Sequence, residues 1–113
     1  MTQPPSSLPT IHVSEASARL EAADPQGPLL VDVREQYEWD AVRANGAVLM
    51  PMSEFPVRHE ELPKDRPIFV ICASGNRSAA ATAFLLRNGW TDVANVDGGT
   101  GAWEKAGLPV NRG

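Results

Sequence analysis

The sequence predicts an α/β domain in which a parallel β-sheet is covered by helices on both faces. Two largely apolar runs, residues 29–33 and 68–71, have the pattern of strands buried on both faces of a parallel sheet. Segments with helix-start and helix-stop residues alternate with these runs and with other short strands. Such alternation is typical of a parallel sheet whose connecting helices pack on its two faces.

The predicted elements are bounded by residues that begin or end them. Ser14 is predicted to cap the first helix, and residues 24–28 read Asp-Pro-Gln-Gly-Pro, a dense turn signal. Residues 88–89, Asn-Gly, end the helix after the central strand, so we expect Trp90 to fold back on Leu85. The predicted strands are 10–13, 29–33, 46–50, 68–71 and 93–96, and the predicted helices are 14–22, 37–42, part of 53–62, 78–86 and a short one around Trp103.

Length and composition limit the classes of protein that the chain can belong to. Residues 1–9, rich in Pro and Ser, are predicted to form a flexible arm, and residues 10–113 a single domain with its own core. The net charge of −4 without a basic patch argues against a nucleic-acid partner. The apolar runs are too short to span a membrane, and no signal-peptide pattern opens the chain. A single cysteine excludes an internal disulfide and fits a reducing, cytoplasmic location. We expect no cofactor and no metal.

The stretch that carries the chemistry is the turn between the central strand and its helix, Cys72-Ala73-Ser74-Gly75-Asn76-Arg77-Ser78. It lies at the carboxyl end of a parallel strand, where open α/β sheets bind ligands. Gly75 allows successive N–H groups to turn inward, and the positive end of a helix dipole points to the same place. With the charge of Arg77, this setting predicts that Cys72 is a thiolate with a lowered pKa. The alternative is that Cys72 is a small buried apolar side chain.

Several motifs together resemble those of the rhodanese-type sulfurtransferase family. They run in family order from about Ile11 to Val110: Val31-Asp32-Val33-Arg34-Glu35, Gly46-Ala47, the 72–78 loop, Gly89-Trp90-Thr91-Asp92-Val93 and Gly98-Gly99 with Ala102-Trp103. The resemblance implies a rhodanese-like fold with a five-stranded parallel sheet. It also implies that Cys72 carries sulfur as a persulfide, with residues 73–78 binding the substrate.

The implied reaction moves sulfane sulfur from thiosulfate or a persulfide to a thiol or to cyanide, in two covalent steps. The N–H groups of residues 73–78 are predicted to stabilise the Cys72 persulfide anion. The acceptor can also be a protein, which leaves a sulfur relay or a binding module as a second hypothesis. A Cys-based phosphatase is a weaker alternative, because those enzymes use Cys-x5-Arg, whereas Cys72 and Arg77 enclose four residues.

Other candidate residues have two interpretations each. Asp32 and Arg34 are predicted to support the site at the same edge of the sheet, and a structural ion pair is the favoured interpretation of Arg34. Arg77 either acts on the sulfur or braces the loop against Asp32. Ser78 is predicted to cap the helix, and its hydroxyl can also donate to Cys72.

Two departures from the family pattern concern charge near the site. Where many members have Gly-His-Ile-Pro-Gly-Ala, this chain has residues 42–47 with Arg43, which can add a cation at the rim. Ala73 stands where many members have a basic residue. His12 and His59, the only histidines, are predicted to lie on the surface and to take no part as catalytic bases.

Overall fold

The computed structural model describes residues 8–22 and 26–113. The predicted N-terminal arm lies mostly outside the described residues, as does part of the predicted turn at 24–28. In chain order the elements are β1 (Thr10–Ile11), α1 (Val13–Glu21), β2 (Leu29–Asp32), α2 (Gln36–Ala41), β3 (Val42–Ala44), β4 (Val48–Leu49), α3 (Phe55–Arg58), a 3₁₀ turn (His59–Glu61), β5 (Ile68–Ile71), α4 (Asn76–Arg87), β6 (Val93–Val96), α5 (Gly99–Lys105) and β7 (Val110–Arg112).

Five of the strands form one sheet in the order β1-β6-β5-β2-β4, and every neighbouring pair is parallel. This confirms the predicted five-stranded α/β fold. The third predicted strand, 46–50, is shorter than expected and comprises only Val48–Leu49. β5 is the middle strand, and all four of its residues are buried, as its apolar sequence predicts.

Two apolar cores lie on opposite faces of this sheet. Alternate residues of β5 point to different faces, so Val70 packs in the core that contains residues of α3 and α4. Phe69 packs in the second core, with residues of α1 and α5. Trp90 belongs to the first core and Trp103 to the second, and both are almost fully buried. Helices therefore cover both faces, as predicted.

A two-stranded antiparallel ribbon of β3 and β7 was not predicted from the sequence. The predicted helix at 37–42 ends at Ala41, because Val42 adopts an extended backbone and pairs with Arg112. Ala44 pairs with Val110 and is buried against the core that contains Trp103. Both strands are only three residues long, too short to show a period-two pattern in the sequence.

The ends of two helices test the capping predictions. Ser14 is not the cap of α1: His12 is, because its Nδ1 accepts the N–H of Ser14 at 3.2 Å. Val13 consequently belongs to the helix and not to the first strand. At the end of α4 the N–H of Trp90 donates to the carbonyl of Leu85 at 3.1 Å, which confirms the predicted fold-back.

The register of the central strands sets where the site lies. Asp32 of β2 is opposite Ile71 of β5, so the residues that follow these two strands emerge side by side at one edge of the sheet. The N–H of Val33 continues the ladder to the carbonyl of Ile71 at 3.0 Å. Across the described part of the chain, every helix falls short of the length and apolarity that a membrane span needs.

Candidate active site

The candidate site is the loop between β5 and α4, at the carboxyl edge of the sheet. α4 begins at Asn76, directly after Gly75, whose φ of +106° lies in the left-handed region that glycine adopts at low cost. The helix therefore starts two residues before Ser78, the residue predicted to open it. Because the first N–H groups of a helix have no partner within it, those of the first turn of α4 are free to face the loop.

The sulfur of Cys72 lies among hydrogen-bond donors of this loop. The N–H of Gly75 donates to Sγ at 3.1 Å, and the Ser78 hydroxyl lies 3.3 Å from Sγ. Burial raises the pKa of the Cys72 thiol, but the hydroxyl of Ser78 and the N–H groups of Ser78, Gly75 and Ser74 lower it, and the net effect is a lowered pKa. The predicted inward-facing N–H groups are thus present around the sulfur.

The environment of Cys72 restricts what can reach it. Only 1% of its surface is exposed, although it is the residue that would have to react. It also packs in the apolar core beneath α4. A reagent can therefore reach the sulfur only with an atom that fits this narrow approach.

The other side of the loop is held by the start of α5. The carbonyl of Cys72 accepts the N–H of Thr100 at 2.8 Å and its hydroxyl at 3.1 Å, and the carbonyl of Ala73 accepts the N–H of Gly101 at 3.1 Å. A Cβ on Gly99 would lie 2.4 Å from the Cys72 carbonyl oxygen, so only glycine permits this approach. The sequence signal for this contact is the Gly98-Gly99 pair, one of the motifs that carry the family resemblance.

The Arg77 guanidinium is paired with Glu38, in the first turn of α2. Its Nη1 and Nη2 donate to the two carboxylate oxygens of Glu38 at 2.8 and 2.9 Å. Glu38 also accepts the N–H of Glu35 at 2.9 Å, so the ion pair joins the start of α2 to the start of α4. The predicted brace between Arg77 and Asp32 is therefore wrong, because Arg77 pairs with Glu38 and Asp32 pairs with Arg34. The spacing of Glu35 and Glu38, that of a capping box, could have drawn attention to Glu38.

This ion pair shifts the pKa of both partners. The hydrogen bond from Arg77 lowers the pKa of Glu38 to about 2, against the opposing effect of burial. The same bond raises the pKa of Arg77, and the negative charge of Cys72 adds to that rise. Arg77 is therefore a cation that is already largely compensated by a neighbouring carboxylate.

Asp32 and Arg34 form a second, more deeply buried pair beside the loop. The Arg34 Nε donates to both oxygens of Asp32 at 3.0 and 3.1 Å, and its Nη2 donates to Asp32 at 2.9 Å. Nη2 also donates to the carbonyl of Val42 at 2.6 Å, which ties β2 to the start of β3. Asp32 is 0% exposed and Arg34 4%. These contacts fit a structural ion pair for both residues.

A polar residue that the sequence analysis missed, Asn95 of β6, lies behind the loop. Its Oδ1 accepts the hydroxyl of Ser78, and its Nδ2 donates to the carbonyl of Gly75 at 3.2 Å. Asn95 is 7% exposed, in a strand that is otherwise apolar. The only signal in the sequence was this one polar side chain within residues 93–96.

Three candidate residues of the loop lie on its outer side. Ser74 and Asn76 are exposed, and Ala73 is partly exposed on the rim of the loop.

The two histidines and Arg43 lie away from the sulfur contacts described above. His12 is on the surface as predicted, but the surface prediction for His59 is wrong. His59 packs against Phe55, Phe84 and Trp90, because the 3₁₀ turn that carries it folds onto this aromatic group. The Arg43 guanidinium lies over the Trp39 ring and donates to the Trp39 carbonyl at 3.1 Å.

The fold and the loop together define a class: an α/β domain that presents a cysteine within a ring of backbone N–H groups. A family model described as "Rhodanese-like domain" matches residues 12–106. The chain belongs to this family.

Its relatives include a protein named sulfurtransferase from Allochromatium vinosum, 38% identical over 87% of this chain and 92% of the relative. The thiosulfate sulfurtransferase GlpE of Vibrio cholerae is 31% identical over 88% of this chain and 92% of its own length. Among solved structures, a rhodanese-related protein from Thermoplasma volcanium has a TM-score of 0.82 at 32% identity. That match covers 91% of this chain and 97% of the other. These similarities confirm the resemblance drawn from the motifs.

We expect Cys72 to react with iodoacetamide with a pH midpoint below that of a free cysteine, about 8.5. The reason is that the N–H groups and the Ser78 hydroxyl favour the thiolate more than burial disfavours it. The rate of alkylation is measured against pH in the folded protein. Because the chain has one cysteine, the same protein in denaturant provides the matched reference. A folded midpoint at or above the denatured one would show that the loop does not favour an anion.

We expect Arg77→Ala and Glu38→Gln to move this midpoint in opposite directions. Arg77→Ala removes a positive charge near the sulfur and raises the pKa of Cys72, whereas Glu38→Gln leaves that charge uncompensated and lowers it. Both variants lose the ion pair, so each should lose on the order of 1 kcal/mol of unfolding free energy. If both variants melt earlier and neither moves the midpoint, Arg77 serves only as a brace.

Acid titration of stability gives a second check on this pair. The pKa of Glu38 is lowered from 4.5 to about 2 in the folded protein. The ionised carboxylate therefore contributes its full stabilisation of the fold above pH 4.5, and this stabilisation is lost as the pH falls from 4.5 to about 2. Glu38→Gln should lack this component of the acid sensitivity.

Proposed function

We propose that the protein is a sulfurtransferase that carries sulfane sulfur as a persulfide on Cys72. The observation that supports this most directly is the position of Sγ, 3.1 Å from the N–H of Gly75 and among the N–H groups that begin α4. This is an environment for a sulfur anion. The names of the relatives, sulfurtransferase and thiosulfate sulfurtransferase, support the same reaction class.

In the first step the Cys72 thiolate attacks the outer sulfur of the donor. With thiosulfate, a new S–S bond forms to Cys72, the bond between the two sulfur atoms of thiosulfate breaks, and sulfite leaves with the electron pair. With a persulfide donor, the leaving group is the donor's thiolate. A lowered pKa makes the thiolate available without a separate base. Neither His12 nor His59 is needed.

The intermediate is an anion, Cys72–S–S⁻, whose charge lies on the outer sulfur. The carbonyls of Cys72 and Ala73 are bonded to Thr100 and Gly101, which fixes the peptide groups that contain the N–H groups of Ala73 and Ser74. These two N–H groups need no reorganisation when a charge forms beside them. In the second step an acceptor thiolate or cyanide attacks that outer sulfur. The outer sulfur is transferred to the acceptor, which becomes a persulfide or thiocyanate, and the S–S bond to Cys72 breaks to restore its thiolate.

The charges near the loop favour a persulfide over thiosulfate as the better donor. Thiosulfate is a dianion, and the one cation of the loop, Arg77, is bound to Glu38 at 2.8 and 2.9 Å. The guanidinium of Arg43 is engaged with Trp39. The whole chain has a net charge of −4, which repels anions weakly over about 8 Å at physiological salt. A persulfide of glutathione or of a partner protein brings less charge to the reacting atom.

We expect Cys72→Ser to abolish the production of thiocyanate from a sulfane donor and cyanide while the protein stays folded. The substitution is nearly isosteric, but an alcohol neither ionises in this pH range nor holds a persulfide. Circular dichroism and the melting temperature establish that the variant is folded. Thiocyanate formation by folded Cys72→Ser at the wild-type rate would refute the assignment of Cys72.

We expect the kcat/KM of the wild type to be higher with glutathione persulfide than with thiosulfate in the same buffer. Ala73→Lys should improve the value for thiosulfate by about twofold to fivefold, the effect of an exposed charge interaction of up to about 1 kcal/mol. Ala73→Gln, of similar length but uncharged, is the matched control. A higher kcat/KM of the wild type with thiosulfate, or equal effects of lysine and glutamine at position 73, would contradict an electrostatic basis for the choice of donor.

A further inference from the structure

The Ser78 hydroxyl lies between two groups that can each accept its proton. Its oxygen is 3.3 Å from Sγ of Cys72 and bonds to Oδ1 of Asn95. A hydroxyl has one proton and can donate it to only one of them at a time. Ser78 is fully buried, so water does not provide a ready substitute for either partner.

The orientation of the Asn95 amide makes Oδ1 of Asn95 and Sγ of Cys72 compete for the one proton of the Ser78 hydroxyl. Its Nδ2 donates to the Gly75 carbonyl at 3.2 Å, and a carbonyl oxygen can only accept. Oδ1 therefore faces Ser78 and must accept from it. Because Asn95 is itself 7% exposed, an Oδ1 that loses this bond is left nearly without solvent, which is costly for a polar atom.

We propose that Asn95 is a positioning residue that controls, through the Ser78 hydroxyl, whether the sulfur of Cys72 is held as a thiol or as an anion. In the thiol state S–H donates to the Ser78 oxygen and the hydroxyl donates to Asn95, so the chain of bonds is complete. When the thiol gives its proton to solvent, the hydroxyl turns to the sulfur anion and Oδ1 loses its donor. Asn95 thus favours the thiol, and the inference rests on the proposed function in taking the anion as the reacting form.

Charged groups on the surrounding elements also lie near Cys72, but none of them bonds to the Ser78 hydroxyl or to the Asn95 side chain in the described part of the chain. They are the Asp32–Arg34 pair after β2, the Glu38–Arg77 pair between α2 and α4, and Asp97 after β6. Within residues 8–22 and 26–113, the hydrogen bonds of the Ser78 hydroxyl and the Asn95 side chain go only to Cys72, Gly75 and each other. These charged groups therefore form no hydrogen bond with the Ser78 hydroxyl or the Asn95 side chain, whereas Asn95 acts on Cys72 through that hydroxyl.

The test is a cycle of four proteins: wild type, Asn95→Leu, Ser78→Ala and the double variant. The measurement is the pH midpoint of iodoacetamide alkylation of Cys72, made without any sulfur donor. We expect Asn95→Leu to lower the midpoint by about half a unit to one unit, because the hydroxyl is released to the sulfur. Ser78→Ala should raise it by about one to two units, through loss of a donor to a charged group. The double variant should match Ser78→Ala alone.

A merely structural role of Asn95 predicts a different result. Asn95→Leu also removes the bond to the Gly75 carbonyl, and a loosened loop would raise the midpoint, although that carbonyl keeps the N–H of Ala79 at 3.2 Å. A raised midpoint, or the same shift with and without the Ser78 hydroxyl, would overturn the proposal. If melting shows that Asn95→Leu is unfolded, Asn95→Ala undergoes the same comparison with the same expected signs.

This experiment is independent of whether sulfur transfer occurs. A donor-free midpoint that does not move with Asn95 refutes the positioning role and leaves the proposed reaction intact. Absence of sulfur loading on the wild type, measured separately by intact mass, refutes the proposed reaction.

Discussion

The orientation of the peptide groups between β5 and α4 is the constraint on which the candidate site depends. The start of α5 binds the carbonyls of Cys72 and Ala73, and it can come this close because Gly99 has no side chain. These carbonyls share peptide groups with the N–H groups of Ala73 and Ser74, so those two N–H groups point away from α5. The N–H of Ser74 is among the groups that lower the pKa of Cys72, and the N–H of Gly75 donates to its sulfur. The sheet order makes this possible, because β6 lies beside β5 and delivers α5 to the same edge.

The thiolate form of Cys72 is therefore stabilised mainly by the dipoles of hydrogen-bond donors and not by an unpaired positive charge. Both arginines near the loop are engaged, Arg34 with Asp32 inside the protein and Arg77 with Glu38 at the rim. Backbone dipoles are fixed and short-ranged, and this is the physical basis on which we propose that a persulfide is a better donor than the dianion thiosulfate. Because hydrogen bonds and not charges stabilise the thiolate, the hydroxyl of Ser78 is one of the groups that lower the pKa of Cys72.

The features that could be predicted from the sequence are those whose signal is local. The apolar runs of β2 and β5 and the loop with Gly75 could be predicted because each is a short pattern with a physical cause. Glu38 and Asn95 were missed because they meet the loop only through the tertiary fold, 39 residues from Arg77 and 17 from Ser78 along the chain. The β3–β7 ribbon was missed for the same reason: its strands are short and distant in sequence, so only their pairing defines them.

The most direct test of this account is the intact mass of the purified protein after treatment with a sulfane donor and then with a reductant. If the loop holds a persulfide on Cys72, the wild type gains one sulfur atom and loses it again on reduction, and Cys72→Ser gains none. Loading without efficient turnover of free cyanide would assign the sulfur to a relay with a protein acceptor. No gain of sulfur by the folded wild type, or an equal gain by folded Cys72→Ser, would contradict the account.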